Sequence, residues 1–197
     1  MRIVLASNNA GKLREFKALL DPLGLEVVPQ GELGIGPAPE PFGTFLENAL
    51  CKARHASLES GQAAIADDSG ICVAALDGAP GVHSSRFSGE NATDARNNEL
   101  LMQKLEGASD RSAYYACVLV AVRHPEDPTP LVAQAVWRGK LLTAPRGANG
   151  FGYDPYFVPE GLEQTAAELA PEVKNGISHR GQAMRVLARL LRENWSL

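Results

Sequence analysis

The sequence contains few cysteines, and they do not occur in motifs. Only Cys51, Cys72 and Cys117 are present among 197 residues. None of them belongs to a C-x-x-C motif or has the spacing of zinc ligands, so the sequence indicates neither a disulfide framework nor a structural zinc site. An odd number of isolated cysteines is typical of reduced, mostly buried thiols, and we therefore expect a cytoplasmic protein.

The chain also lacks a long apolar run and an excess of positive charge. No segment approaches the length of a membrane span, and residues 1–6 lead directly into a strand-like pattern without the features of a signal peptide. The formal net charge of −4 argues against a protein that coats DNA or RNA, which needs a basic surface. We expect neither a membrane nor a nucleic acid as partner, although a local basic pocket for a small anion is compatible with this charge.

The composition that is present is ordinary for a globular protein. Hydrophobic residues make up 45% of the chain and charged residues 21%. The length suffices to bury a substantial core. We expect a single domain over residues 1–197, built as one large unit or as two tightly joined lobes.

Helix and strand patterns alternate in the first part of the chain. Apolar residues 3–6 and 25–28 predict strands, with an amphipathic helix over residues 12–20 between them. Residues 112–123 and 131–142 predict two long strands joined by a proline-rich turn. This order predicts an α/β fold with a mixed, twisted sheet and flanking helices.

Two helix starts carry recognisable caps. Thr44-Phe45-Leu46-Glu47 matches a capping box and predicts a helix that ends near Glu59. Ser178 is expected to cap a final helix that ends near Asn194. A short helix is expected over residues 165–169, and residues 31–43, rich in glycine and proline, are expected to form a loop.

A polar turn between the first strand and the first helix is a candidate phosphate site. The N-terminus of a helix offers backbone N–H groups and the positive end of a dipole, and a lysine adds a full charge. The turn is not a Walker A loop, because that glycine pattern is absent. An ordinary polar turn with a solvated lysine is the simpler interpretation when this segment is considered alone. The candidate residues are Ser7, Asn8, Asn9, Ala10, Gly11 and Lys12.

A second candidate is Asp67-Asp68-Ser69-Gly70, which lies between two apolar runs predicted to be strands, 63–66 and 71–76. A carboxylate at a strand end can hold Mg²⁺ and orient a water molecule for attack. Glu40 could supply a second oxygen ligand, and hard oxygen ligands suit Mg²⁺ or Mn²⁺ better than zinc. The alternative is a turn in which the acidic side chains cap backbone amides.

The third candidate is the segment from Gly150 to Pro155. Glycines on both sides of Phe151 allow the aromatic ring to stand exposed as a platform for another flat ring. His179 and Arg180 offer donors that could contact the edge of such a ring, and Lys174 lies near in sequence. The alternative is a tight loop with aromatic residues in the core, followed by an ordinary helix start.

Lys52 and Asn48 lie four residues apart on the predicted second helix. They form either a solvated helix face, which is common, or part of a site beside Asp68. Spacing alone leaves both interpretations open. Together, these candidates supply the components of a nucleoside triphosphate site. They are a turn that can bind an anion, a carboxylate that can bind a metal, an exposed aromatic ring and a His-Arg pair.

Over nearly its whole length the chain resembles the inosine/xanthosine triphosphate pyrophosphatases. Each motif is weak alone, but seven in order at similar intervals are highly specific. The motifs are Ser7-x-Asn9-x-x-Lys12-x-x-Glu15, Thr44-Phe45-x-Glu47-Asn48-Ala49, Ala66-Asp67-Asp68-Ser69-Gly70, Gly78-Ala79-Pro80-Gly81, Ser84-x-Arg86-Phe87-Ser88-Gly89, Gly150-Phe151-Gly152-Tyr153-Asp154-Pro155 and Ser178-His179-Arg180-Gly181.

The resemblance implies a mixed α/β fold with two lobes around a central substrate cleft, in a homodimer. It implies Mg²⁺-dependent hydrolysis of ITP, dITP and XTP to the monophosphate and pyrophosphate. Such an activity removes noncanonical purines from the nucleotide pool and prevents their incorporation into DNA and RNA.

The resemblance also implies roles for individual residues. Asp68 would be the general base and a metal ligand, Glu40 the second metal ligand, and Lys52 a catalytic residue near the phosphates. The segment Ser7–Lys12 would hold the triphosphate and Ser69 would contact substrate. The base and sugar would bind to Phe151, Gly152, Tyr153, Asp154, Lys174, His179 and Arg180.

Two alternative functions are compatible with the sequence. One is a pyrophosphatase for other modified nucleotides, which base preference would distinguish. The other is a nucleotide-binding module without turnover, although such a module has little need for Asp68, Glu40 and Lys12 together. A donor from His179 or Arg180 would favour the 6-oxo group of hypoxanthine and xanthine over the 6-amino group of adenine.

Overall fold

The fold is built around one sheet of six strands in the described residues, 1–195. In this computed structural model, the side chains of Ala10 and Leu19 lie outside the described part of the chain. The strands are β1 (Arg2–Leu5), β2 (Glu26–Pro29), β3 (Ala64–Val73), β4 (Ser112–Val122), β5 (Leu131–Leu141) and β6 (Phe157–Pro159).

The strand order is β2-β1-β3-β4-β5-β6. Strand β1 is parallel to both of its neighbours, with Arg2 opposite Glu26 and Val4 opposite Ala64. Strand β6 is antiparallel to β5, with Gly139 opposite Pro159. The sheet is therefore mixed, as the sequence predicts.

Five α-helices accompany the sheet in the described part of the chain. Thr44 caps α2 as predicted, since its Oγ accepts a hydrogen bond from the Glu47 amide at 3.2 Å and donates one to the Glu47 carboxylate at 2.6 Å. Ser178 caps the last helix through the Gly181 amide at 3.2 Å. The helices are α1 (Ala10–Leu20), α2 (Phe45–Ser60), α3 (Asp94–Lys104), α4 (Pro171–Ile177) and α5 (His179–Asn194).

Two local predictions are wrong, and one helix was not predicted. Residues 67–70 neither separate two strands nor form a turn, because β3 continues through them as one largely buried strand of ten residues. The acidic side chains that suggested a turn instead form ion pairs with lysines, and these pairs offset the free-energy cost of burying the carboxylates. Residues 165–169 form turns rather than a short helix, whereas α4, which begins at Pro171, was not predicted.

The chain divides into two compact units. Unit 1 contains Met1–Asp68, Cys117–Gln134 and the stretch that begins at Gln182, and unit 2 contains Ser69–Ala116 and Ala135–Gly181. Strands β3, β4 and β5 each contribute residues to both units, and Asp68 is the last residue of unit 1 before the chain enters unit 2.

Each unit has its own apolar core. In unit 1, Ala49, Ala53 and Ala56 form a face of small residues on α2 that packs with buried valines and alanines of the strands. Small side chains on this face allow the helix to approach the sheet closely. The core of unit 2 is richer in large side chains and contains Ile71, Val73, Leu101, Leu105, Ala113, Tyr115, Trp137, Leu141, Tyr153, Phe157, Ala166 and Leu169.

Two further sequence expectations can be compared with the structure. None of the described helices is long and apolar enough to cross a membrane. Cys72 and Cys117 are buried and Cys51 is partly buried, and all three are thiols, as predicted. The prediction of a single domain over residues 1–197 stays a prediction.

A buried carboxylate organises the turn between β4 and β5. Asp127 is 0% exposed and accepts hydrogen bonds from the Arg123 and Thr129 amides, both at 3.0 Å. The guanidinium of Arg123 also donates to Asp127, at 2.7 and 2.9 Å. Hydrogen bonds from the Arg123 guanidinium are the main reason that the pKa of Asp127 lies well below its usual range.

We expect Asp127→Asn to lower the free energy of unfolding by about 1–3 kcal/mol at pH 7, because the amide group cannot accept all of these hydrogen bonds. Since the folded-state pKa is depressed, the stabilisation by Asp127 is complete above its unfolded pKa and is lost as the pH falls below about 4. Urea unfolding from pH 8 to pH 3 measures both effects. The control is Glu126→Gln, an exposed residue of the same turn, and an equal loss in the two variants would contradict the prediction.

Candidate functional site

The predicted phosphate turn lies in unit 1 and ends at the N-terminus of α1. Asn9 caps the helix, its Oδ1 accepting from the Lys12 amide at 3.0 Å, and Ser7 Oγ accepts from the Asn9 amide at 3.2 Å. Asn8 Oδ1 accepts from the Gly31 amide at 2.8 Å, which links the turn to the 3₁₀ segment that follows β2. The first turn of α1 contains no acidic residue. The helix end therefore presents a fixed, electropositive surface suited to an anion.

Lys12 is directed from this turn towards strand β3. Its Nζ lies 2.6 Å from Asp67 Oδ1, and the Asp67 side chain is only 1% exposed whereas that of Lys12 is 23% exposed. The first aspartate of the Asp67-Asp68 pair thus serves as the counter-ion of the lysine in the candidate phosphate site. Because the Lys12 side chain is only partly buried, it remains accessible to an anion at the helix N-terminus.

The second aspartate has a different partner. Lys52 Nζ on α2 lies 2.9 Å from Asp68 Oδ1 and 2.7 Å from Glu40 Oε1. The predicted metal ligands Glu40 and Asp68 therefore converge on a single point, which the Lys52 ammonium occupies. Of the two interpretations of Lys52, the structure favours the site beside Asp68 over a solvated helix face.

Burial and charge alter the proton affinities of this pair. Burial, the largest influence, raises the pKa of Asp68, and the neighbouring charges of Glu40 and Asp67 add to the increase, although Lys52 opposes it. Burial by itself would lower the pKa of Lys52, but attraction to Asp68 and hydrogen bonds to Glu40 and Asp68 outweigh it, so that pKa is raised. Lys52 remains an ammonium ion, and Asp68 is a more basic carboxylate than an exposed aspartate.

Asn48 supports this arrangement from the same helix. Its side chain accepts from the Phe42 amide and donates to the Phe42 carbonyl, each at 3.1 Å, and so fixes the loop that carries Glu40. Its Nδ2 also lies 3.5 Å from Asp68 Oδ2. Asn48 is buried, and its position explains how a loop rich in proline and glycine holds Glu40 near β3.

The oxygen donors of Glu40 and Asp68 fit a divalent cation. Both carboxylates lie within hydrogen-bonding distance of one ammonium ion, so they can share one cation. Within residues 1–195, no group of three or more His, Cys, Asp or Glu side chains is arranged to hold a metal. Two carboxylates match Mg²⁺, which is commonly bound by one or two carboxylates together with water and substrate phosphates.

The aromatic platform lies in unit 2. Phe151 is 58% exposed, as its position between two glycines predicts. Lys174 Nζ lies 5.1 Å and Arg180 Cζ 5.8 Å from the centre of its ring. The loop bends sharply at Gly150, where φ is +77° and a Cβ atom would overlap the Asp154 carboxylate.

Asp154 holds this loop together from inside. It is 3% exposed, and its Oδ2 accepts from the Phe151 amide at 3.0 Å and pairs with Lys174 Nζ. Tyr153 is buried, and its hydroxyl donates to the Ser84 carbonyl at 2.8 Å. Phe151 is therefore exposed, as the interpretation as an aromatic platform predicts. Tyr153 belongs to the core, as the alternative of a tight loop with buried aromatic residues predicts.

His179 and Arg180 are both buried at the start of α5, with exposures of 7% and 6%. The His179 ring stacks on Tyr115, with ring centres 4.7 Å apart and planes within 6°. Arg180 Nη2 donates to Ser69 Oγ at 3.3 Å. Unit 2 thus brings together Ser69, Phe151, Lys174 and Arg180, with His179 held against the aromatic core.

The sequence interpretation missed residues that fix the Phe151 loop from α3. Asp94 Oδ2 accepts from the Gly152 amide at 2.6 Å, and Asn98 Nδ2 donates to the Gly152 carbonyl at 2.8 Å. These residues lie more than 50 positions before the loop, so spacing gave no signal. The structure buries Asn98, but its burial cannot be read from the sequence.

These features define an α/β protein with a lysine–carboxylate cluster and an aromatic–cation cluster. The sequence pattern of the Ham1 family matches residues 3–190. The chain belongs to the Ham1 family.

Curated relatives match almost the full length of the chain. A dITP/XTP pyrophosphatase from Aromatoleum aromaticum is 61% identical over 191 residues, which cover 96% of each chain. A dITP/XTP pyrophosphatase from Nitrosomonas europaea is 57% identical over 193 residues, covering 98% of this chain and 95% of the relative. Among solved structures, a HAM1 protein from Coxiella burnetii is 49% identical with a TM-score of 0.95, over 98% of this chain and 99% of that one.

Proposed function

We propose that this protein hydrolyses noncanonical purine nucleoside triphosphates (ITP, dITP and XTP) to the monophosphate and pyrophosphate. The observation that carries the proposal is the convergence of Glu40, Lys52 and Asp68, supported by the names of relatives that are 56–61% identical. Such an enzyme removes these nucleotides before they enter DNA or RNA.

The triphosphate binds to the turn at residues 7–12 in this proposal. Side chains of Ser7, Asn8 and Asn9 fix the turn, backbone groups at Ala10 and Gly11 lie at the positive end of the helix dipole, and Lys12 supplies a full charge. Lys52 contacts phosphate oxygens closer to the reacting bond. Both lysines form ion pairs with aspartates, and these contacts support the proposed role because they fix the positions of the ammonium groups.

Asp68 acts as the general base. It accepts a proton from the attacking water while the water oxygen forms a bond to the α-phosphorus and the bond to the bridging oxygen breaks. The electron pair of the broken bond leaves with pyrophosphate. The raised pKa of Asp68 strengthens its basicity, and Lys52 keeps its carboxylate oriented.

Mg²⁺ is the proposed cofactor, and Glu40 and Asp68 would hold it. When bound, the cation would neutralise negative charge on the phosphate oxygens and the leaving group. Glu40 is fixed for this task by the loop that Asn48 anchors.

The purine binds to the cluster in unit 2. Phe151 offers an exposed face for stacking, and Gly152 allows the backbone of the loop to approach the ligand. Asp154 positions Lys174, while Tyr153 anchors the loop in the core. His179 and Arg180 supply donors for the 6-oxo group. Ser69, which accepts a hydrogen bond from Arg180, contacts the substrate.

Metal dependence provides the test of this mechanism. We expect release of pyrophosphate from ITP in the presence of Mg²⁺ and a loss of at least about a hundredfold with EDTA, because the phosphate charge is then left to two lysines. Quantifying both IMP and pyrophosphate identifies the bond that is cleaved. Release of orthophosphate would contradict cleavage between the α- and β-phosphates, and tight binding of ITP without turnover would favour a nucleotide-binding module.

The remaining assignments are a homodimer and a cytoplasmic location. The resemblance supports the former, and the presence of the three cysteines as thiols supports the latter. Size-exclusion chromatography with light scattering measures the oligomeric state.

A further inference from the structure

Tyr115 lies on β4 between two of the residues assigned to purine recognition. Its hydroxyl lies 3.3 Å from Asp154 Oδ1, and its ring stacks on His179. Burial, followed by the negative charge of Asp154, raises the pKa of Tyr115 well above its usual value. The hydroxyl therefore stays protonated and donates its hydrogen to Asp154.

The hydrogen bond from Tyr115 reaches the carboxylate oxygen that the loop does not use. Asp154 Oδ2 already accepts from Lys174 and from the Phe151 amide, whereas Oδ1 accepts from Tyr115. Donors on both oxygens fix the rotation of the carboxylate. That rotation determines where Lys174 and the Phe151 backbone lie.

Tyr115 is itself held firmly in the core. Phe157 packs edge-on against its ring, with centres 4.8 Å apart and planes at 73°. Trp137 stacks with both Tyr115 and His179, at 6.4 and 6.3 Å. A side chain packed against three other rings holds its neighbours in defined positions.

We propose that Tyr115 is a positioning residue for purine recognition, acting through its hydrogen bond to Asp154 and its stacking on His179. The inference rests on the proposed function of these two residues. Tyr115 is assigned no contact with the substrate. Its hydroxyl sets the orientation of the Phe151 loop, and its ring sets the plane of His179.

The test is Tyr115→Phe, which removes the hydroxyl and preserves the stack. We expect KM for ITP to rise about three- to tenfold, as loss of one hydrogen bond predicts, with kcat within about twofold. Tyr114→Phe is the matched control, because it removes the same oxygen atom from the neighbouring tyrosine. The Tyr114 hydroxyl forms a hydrogen bond with Cys72 rather than with Asp154. We expect the control to leave KM unchanged within about twofold.

The dissociation constant of ITP, measured by calorimetry in EDTA, separates this inference from the proposed function. If the wild type binds ITP without turnover, the proposed catalysis fails while the Tyr115 effect is judged on the dissociation constant. An unchanged KM and dissociation constant in Tyr115→Phe, or equal changes in the two tyrosine variants, would overturn the inference. A lower thermal midpoint with normal ITP binding would assign Tyr115 a purely structural role and overturn it as well. If the wild type neither binds nor hydrolyses ITP, both proposals fail.

Discussion

Asp68→Asn is expected to lower kcat for ITP by about 10²- to 10⁴-fold, the range for loss of a general base. The amide cannot accept the proton of the attacking water, and it is a poorer ligand for a divalent cation. Lys52 retains its contact with Glu40, and Asn48 still anchors the loop at Phe42. We therefore expect a folded protein, with a circular dichroism spectrum like that of the wild type. Steady-state release of pyrophosphate measures the loss.

Asp67→Asn is the matched control, because it makes the same change at the adjacent position. Asp67 binds Lys12 rather than Lys52, so its loss should act mainly through KM by altering the position of a phosphate lysine. We expect kcat of Asp67→Asn to exceed that of Asp68→Asn at least tenfold. The reverse order would assign the general base to Asp67 and would contradict the proposed mechanism.

The sequence predicted the class of fold and most of its elements. Capping residues were reliable guides, since Thr44 and Ser178 begin helices where the sequence places them. Local rules failed at residues 67–70, where two aspartates, a serine and a glycine favour a turn. There the tertiary contacts of Asp67 and Asp68 with lysines on two separate helices stabilise a continuous strand. A single sequence contains no signal for such pairs.

The contacts among the candidate site residues were not predictable from the sequence, and the roles of these residues stay predictions. Exposure of Phe151 followed from the glycines beside it. The bridging position of Lys52 between Glu40 and Asp68 depends on a loop anchored by Asn48, which spacing could not reveal. The supporting contacts of Tyr115, Asp94 and Asn98 join segments that lie 39 to 64 residues apart along the chain. Only the folded chain brings these together.

Discrimination between purines is the second large effect that we expect. The donors of His179 and Arg180 are buried, so a substrate that leaves one of them unpaired loses about 1–3 kcal/mol per contact, or roughly ten- to a hundredfold in kcat/KM. ITP, dITP and XTP present a 6-oxo acceptor, whereas ATP presents a 6-amino donor. With two such contacts, kcat/KM for ATP is expected to fall about 10²- to 10⁴-fold below that for ITP.

Pyrophosphate release from ITP, dITP, XTP and ATP, measured under identical conditions with Mg²⁺, tests the proposed function and its purine specificity together. We expect rapid release from the first three and almost none from ATP. Equal turnover of all four would contradict purine recognition by His179 and Arg180 and would leave only the phosphate chemistry of Asp68 and Lys52.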